Sequence, residues 1–170
     1  NGDIWVGTLG GLDKLDVETQ TFTNYEIPGD VVRSLYIHNE ETMYVGSTEG
    51  LFVYSSITDT LNKFEVELPS SVIMTIDEFS KGKLTLGLWD DGIVVVDIKT
   101  RETETISFGD NNVYAIEKDK DDIIWVGTWG GGLFSIKKGV IYEYSGQTEK
   151  NRLSNPIVYS LLADDSEILW

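Results

Sequence analysis

Residues 124–137 read IWVGTWGGGLFSIK, and variants of the same phrase stand at three other places in the chain. They are IWVGTLGGLDKLD over 4–16, MYVGSTEGLFVYS over 43–55 and LTLGLWDDGIVVVD over 84–97. A fifth copy opens as ILW at Ile168. The central glycine falls at Gly7, Gly46, Gly87 and Gly127, in steps of 39, 41 and 40 residues. A second phrase keeps the same register: Val32-Arg33-Ser34-Leu35, Ile73-Met74-Thr75-Ile76, Val113-Tyr114-Ala115-Ile116 and Val158-Tyr159-Ser160-Leu161. Its last residue always lies nine before the aromatic position, at Tyr44, Thr85 (the exception, not aromatic), Trp125 and Trp170. Chance likeness between β-rich segments would drift. A fixed period decides the architecture before any single residue does.

Each repeat divides into four short strands. The Val-x-Ser-Leu segment is the first. An acidic turn follows, at His38-Asn39-Glu40-Glu41, 78–82, Asp119-Lys120-Asp121-Asp122 and Asp164-Asp165-Ser166. The Trp-Val-Gly-Thr segment is the second strand, and a glycine-rich turn leads to the third. The fourth alternates with period two, as in Thr21-Phe22-Thr23-Asn24-Tyr25. Nothing between them has helical periodicity or caps. A four-stranded unit of this size cannot bury both faces alone, and radial stacking of copies does so. The fold expected is therefore an all-β propeller of four-stranded antiparallel blades repeating about every 40 residues. The blades fall at 1–30, 31–70, 71–111 and 112–156, and 157–170 begins a further one with a first strand over 157–163. The glycine inside each second strand is expected where a neighbour needs its space. Trp5, Tyr44, Trp125 and Trp170 read as packing ribs between blades, broken by Thr85.

These residues resemble the two-component regulator propeller repeat. Trp5-Val6-Gly7-Thr8 with Gly10-Gly11-Leu12, and Trp125-Val126-Gly127-Thr128 with Gly131-Gly132-Leu133, carry the likeness most closely. The second blade departs at Tyr44 and Ser47, the third at Thr85 and Leu88. The resemblance implies a seven-bladed ring in the periplasmic sensor region of a membrane-anchored hybrid histidine kinase, and a role in signal transduction that includes response to polysaccharide fragments. About four blades are present, so the chain reads as a piece of a larger propeller. Alternatively the last first strand completes the opening blade, or two copies pair into an eight-bladed ring. An open arc would leave an apolar blade face and a strand edge uncovered.

Composition limits the partners. The net charge is −16 and no cluster of Lys and Arg offsets it, which argues against nucleic acid and direct contact with anionic membranes. There is no cysteine and one histidine, His38, placed in an acidic turn on the rim opposite the expected site. No Ser/His/Asp triad, histidine-based metal centre or phosphate loop is expected, and no cofactor. The turn from Asp119 to Asp122 lacks calcium-loop spacing. No run of about 18 apolar residues and no leader pattern occurs within the sequence.

Candidate ligand-binding residues come from departures from the repeat. Trp89 and Trp129 follow the repeat glycine by two, where the first blades have Leu9 and Thr48. They fall in second-to-third strand turns, on the rim where fourth-to-first connections also open. Asp90, Asp91, Asn111, Asn112 and Arg152 are expected near them. Aromatic faces with carboxylates and amides suit an oligosaccharide. Arg33, Tyr114 and Tyr159 share the variable position of the first strand, which points to the channel mouth or packs between blades. Rival functions are a propeller lyase resembling streptogramin lyase, which would need an acid/base pair at the mouth, and a protein-interaction scaffold. The other partners expected are further blades of the parent protein or a second copy.

Overall fold

The computed structural model describes residues 2–27, 31–144, 153–164 and 168–170. Its strands form four antiparallel sheets in sequence order. The first holds β1 (Ile4–Thr8), β2 (Gly11–Asp16) and β3 (Thr21–Tyr25). The second holds β4 (Val32–Asn39), β5 (Thr42–Ser47), β6 (Gly50–Ser55) and β7 (Thr60–Lys63). The third holds β8 (Ile73–Ser80), β9 (Lys83–Leu88), β10 (Ile93–Asp97) and β11 (Thr103–Ile106). The fourth holds β12 (Val113–Lys118), β13 (Ile124–Thr128), β14 (Leu133–Lys137) and β15 (Val140–Glu143). This is the blade of a propeller, repeated in a row. Among the described residues no helix is long and apolar enough to cross a membrane.

The strands are meanders because the turns between them are cheap to make. Gly11, Gly50, Gly92 and Gly132 each have positive φ at or just before the start of the strand that follows the glycine-rich turn, where a side chain would be strained. The first strands β4, β8 and β12 pack against one another and so converge on the axis. The fourth strands lie outermost, and β15 is exposed throughout.

Three apolar clusters fill the gaps between neighbouring blades. Leu12, Ile27, Val32, Met43, Val45 and Tyr54 join the first two. Tyr44, Leu51, Phe64, Ile73, Leu86 and Val94 belong to the cluster between the second and third. Ile93, Val113, Ile116, Val126, Phe134 and Ile136 join the third and fourth. The repeat glycines lie at these joints. A Cβ on Gly7 would stand 2.5 Å from Val32 Cγ1, and one on Gly127 would stand 2.6 Å from Val158 Cγ1. Each first strand thus opens with a β-branched residue seated on the glycine of the preceding blade.

Several expectations need correction. The segment 157–163 is no regular strand; only Ala163 pairs, with Leu169. It still occupies the first-strand place: Val158 N–H donates to Thr128 O at 2.9 Å, and Leu162 and Trp170 exchange two backbone bonds at 3.0 and 2.8 Å. Among the described residues, Ile168, Leu169 and Trp170 stand opposite it. It does not pair with β1, which among the described residues bonds to β2 alone. β4 and β8 run eight residues each, into the expected acidic turns, because register shifts at Ile37/Asn39 and Asp77/Ser80 absorb extra residues. The rib is uneven. Tyr44 is 3% exposed, Trp5 and Trp125 are half-buried, and Trp170 is 68% exposed. Thr85 leaves no exposed break; it is buried, and Phe79 and Val95 pack into the cluster on the fourth-blade side.

Candidate functional site

Four aromatic rings from the third and fourth blades and the segment that follows them meet on one rim. Trp89 stands in the turn after β9, Tyr114 is the second residue of β12, Trp129 stands in the turn after β13, and Tyr159 lies on the segment that follows the fourth blade. Tyr114 and Trp129 stack with ring centroids 5.0 Å apart and planes at 25°. Trp89 lies 5.7 Å from Tyr114 and 6.1 Å from Trp129. Tyr159 stands edge-on to both, at 5.7 Å from Tyr114 and 5.5 Å from Trp129. The cluster is not core: Trp129 is 37% and Tyr159 64% exposed.

Backbone bonds fix the platform. Trp89 N–H donates to Val72 O and Trp129 N–H to Asn112 O, both at 3.0 Å. The connection before β12 is held by its own side chains. Asn111 Oδ1 accepts from Phe108 N–H at 2.9 Å, and Asp110 Oδ1 accepts from Asn112 N–H at 3.0 Å. Asn112 Oδ1 in turn accepts from Asp90 N–H at 3.1 Å, which ties the third blade's turn to the fourth blade. Asp90 needs that support, since its φ is +74°. Asn111 and Asn112 are therefore committed to building the rim. The carboxylates of Asp90 (exposed) and Asp91 (half-buried) accept no bond from the described residues.

Of the residues singled out in the sequence, Trp89, Trp129, Tyr114 and Tyr159 come together, with Asp90, Asp91, Asn111 and Asn112 on the adjoining turns. Arg33 is exposed on β4, two blades from Tyr114, and takes no part in the ring contacts. Arg152 lies outside the described residues. His38 is not in a turn; it sits half-buried in β4, with Nδ1 bonded to Glu78 Oε2 of the next blade and its ring 5.8 Å from Tyr44. It lies at the strand end that adjoins the first-to-second turn, opposite the aromatic rim.

Two features were passed over. Trp125 Nε1–H donates to Asp119 Oδ2 at 2.8 Å, and Trp170 Nε1–H to Asp164 Oδ2 at 2.9 Å. The spacing, Asp six residues before Trp, was present in the sequence. Asp119 Oδ1 also accepts from Asp121 and Ile123 N–H. Burial, the largest single effect, pushes its carboxyl up, but the three hydrogen bonds and the Lys137 charge together outweigh it and draw the carboxyl below the ordinary range. Secondly, β8 and β12 carry Asp77 and Glu117 at one repeat position. Burial raises both carboxyls, and the charge of Asp77 raises Glu117 further. Here ionisation opposes folding: stability is highest below the ordinary carboxylate pKa and falls as pH rises through the raised one. Asp77→Asn keeps the acceptor for Glu78 N–H at 2.6 Å. It should be more stable than the parent at neutral pH, with the gap closing in acid; melts across pH 3 to 8 check this, and a gap that widens in acid would refute it.

Among the described residues no three or more His, Cys, Asp or Glu are placed to hold a metal ion. What the rim offers is inclined aromatic faces beside the carboxylates of Asp90 and Asp91.

Comparison with known proteins adds the following. No curated protein sequence matches the chain. The extracellular domain of the hybrid two component system BT4673 from B. thetaiotaomicron superposes with a TM-score of 0.84 at 18% identity, over 99% of this chain and 24% of that one. The extracellular domain of BT3049 from the same organism gives 0.73 at 19%, over 99% and 30%. Streptogramin B lyase gives 0.74 at 18%, over 99% and 58%. The chain thus spans about a quarter of the BT4673 domain. At these identities the likenesses establish the propeller fold. Residues 107–130, which carry Asn111, Asn112, Tyr114 and Trp129, match the two component regulator propeller model, so the chain bears a repeat of that family within its row of blades.

Proposed function

We propose that the chain is a ligand-sensing propeller segment of an extracytoplasmic two-component sensor, and that its aromatic rim takes a neutral or cationic glycan fragment. The observation that carries the reading is the cluster of Trp89, Tyr114, Trp129 and Tyr159, in which Trp129 and Tyr159 are exposed and Trp89 and Tyr114 half-buried where a core cluster would be covered. Aromatic faces pack against the apolar faces of sugar rings, and the carboxylates of Asp90 and Asp91 accept from hydroxyls. A net charge of −16, with few cations near the rim, disfavours anionic ligands. The family match overlies this rim, and the likeness to the extracellular domains of the BT4673 and BT3049 two component systems supports a periplasmic sensor. A lyase reading gains nothing from His38, which is engaged with Glu78 at the other end of the blade.

Titration against an oligosaccharide panel, followed by tryptophan fluorescence, tests the proposal. Trp89→Ala with Trp129→Ala should weaken binding about thirtyfold or more, the scale of a lost aromatic anchor. The circular dichroism should be unchanged. A double variant that binds as the parent does would place the ligand elsewhere.

A further inference from the structure

The first strands of the second, third and fourth blades share an irregularity. β4, β8 and β12 each slip register at their second residue, between Val32 and Ser34, Ile73 and Thr75, and Val113 and Ala115. Arg33, Met74 and Tyr114 are thus left out of the ladder. A bulge frees one residue from the pairing and re-aims its side chain. The aim is visible at Tyr114, whose ring reaches Trp89 in the turn of the preceding blade at 5.7 Å and Trp129 in the turn of its own at 5.0 Å. Tyr159, at the same repeat position, reaches Trp129 at 5.5 Å.

The flanking residues have no such freedom. Val32, Ile73, Val113 and Val158 sit on Gly7, Gly46, Gly87 and Gly127 of the preceding blade, and all four are β-branched. Ser34 and Thr75 close on Gly46 and Gly87 of their own blade, and the other two copies have Ala115 and Ser160 there. Between these fixed positions the chain carries an arginine, a methionine and two tyrosines. A repeated joint of one shape would not accept three such different side chains.

We infer that the bulged residues are the specificity-determining contacts of the rim, and that Met74 and Arg33 carry the ligand site onward from the aromatic cluster towards the second blade. The inference rests on the glycan reading above. In the register that Tyr114 shows, Met74 stands between the turns of Thr48 and Trp89, and Arg33 between those of Leu9 and Thr48. Met74 offers a flexible, polarisable thioether beside Trp89, which extends the apolar cover to a further sugar ring. Arg33 is exposed and makes no hydrogen bond or ion pair with the described residues. Its N–H donors suit hydroxyl oxygens, whereas the carboxylates of Asp90 and Asp91 accept. The ligand is then an oligosaccharide, with apolar sugar faces over the third and fourth blades and hydroxyl oxygens held at the second.

The two methionines allow a test that needs no ligand. Hydrogen peroxide should convert Met74 to its sulfoxide much faster than Met43, which is 4% exposed, as read by mass spectrometry of the peptides. A Met74 oxidised as slowly as Met43 packs between blades, and that result overturns the inference. Titration with cellotetraose, xylotetraose and a chitosan tetramer follows. Arg33→Ala should weaken binding about tenfold, the scale of one lost charge-assisted hydrogen bond, and Met74→Ala about threefold. The losses should differ from sugar to sugar, with the urea midpoint of both variants as in the parent. Sugars that bind through Trp89 and Trp129 yet ignore both substitutions overturn the inference and leave the glycan reading standing. Binding of none of the three by the parent removes that reading, and this inference with it. Equal losses for every sugar with a lowered urea midpoint assign both side chains to packing and overturn it as well.

Discussion

Gly87→Val should lower the stability of the chain by about 3 kcal/mol in urea unfolding, the upper part of the range for overpacking a core. A Cβ at Gly87 would stand 2.6 Å from Thr75 Cγ2 and 2.6 Å from Val113 Cγ1. Thr75 belongs to the first strand of the same blade and Val113 to that of the next, so relief in one direction worsens the other. Neither is the far end of a flexible side chain; both branch at Cβ and have little rotamer freedom. Gly46 is held the same way, by Ser34 Oγ at 2.5 Å and Ile73 Cγ2 at 2.7 Å. Propensity alone would favour valine inside a strand, so the prediction sets packing against propensity. Gly109→Ala is the control, because nothing lies within 4 Å of the Cβ it would gain. It should change stability by under about 0.5 kcal/mol. A Gly87→Val variant as stable as the control would mean that blades do not lock at the repeat glycine.

That lock also explains what could be read from the sequence and what could not. Gly7, Gly46, Gly87 and Gly127 are local marks of a tertiary contact, and their spacing gave the blade period directly. The strands of each blade followed, because turn glycines and alternation are local properties as well. Strand ends at Asn39 and Ser80 were missed, since a bulge adds a residue without altering the pattern on either side. The rim was half legible. Trp89 and Trp129 stand out because they break the repeat. The pattern leaves Tyr114 and Tyr159 open between the channel mouth and the blade interface, because the facing of a first-strand residue depends on the neighbouring blade. His38 was misplaced for a similar reason: its partner Glu78 is 40 residues away. The Asp119–Trp125 bond was available as a spacing and went unused, since the turn was read as solvated. The rib failed as a uniform class because burial at that position depends on what packs around each blade: Trp5 is followed by a complete blade and is still half-buried, while Tyr44 is buried.

The same dependence predicts a graded series along the rib. Tyr44→Ala should cost about 3–5 kcal/mol, as for other buried aromatics. Tyr44 packs edge-on against Phe64 at 5.4 Å and faces a complete third blade, in the cluster with Ile73 and Leu86. Trp125→Ala should cost less, about 2 kcal/mol, although tryptophan is the larger side chain. It is half-buried where Tyr44 is buried. What it holds is Tyr144, with centroids 5.4 Å apart, and the hydrogen bond to Asp119. Trp170→Ala should change little, under about 0.5 kcal/mol, because that ring is 68% exposed. Urea titrations of the three variants give the order. Equal losses at Tyr44 and Trp125 would mean that residue size, not burial, sets the contribution. A Trp170→Ala variant as damaged as Tyr44→Ala would mean that this end of the chain is covered in solution, which the single-chain structure does not show.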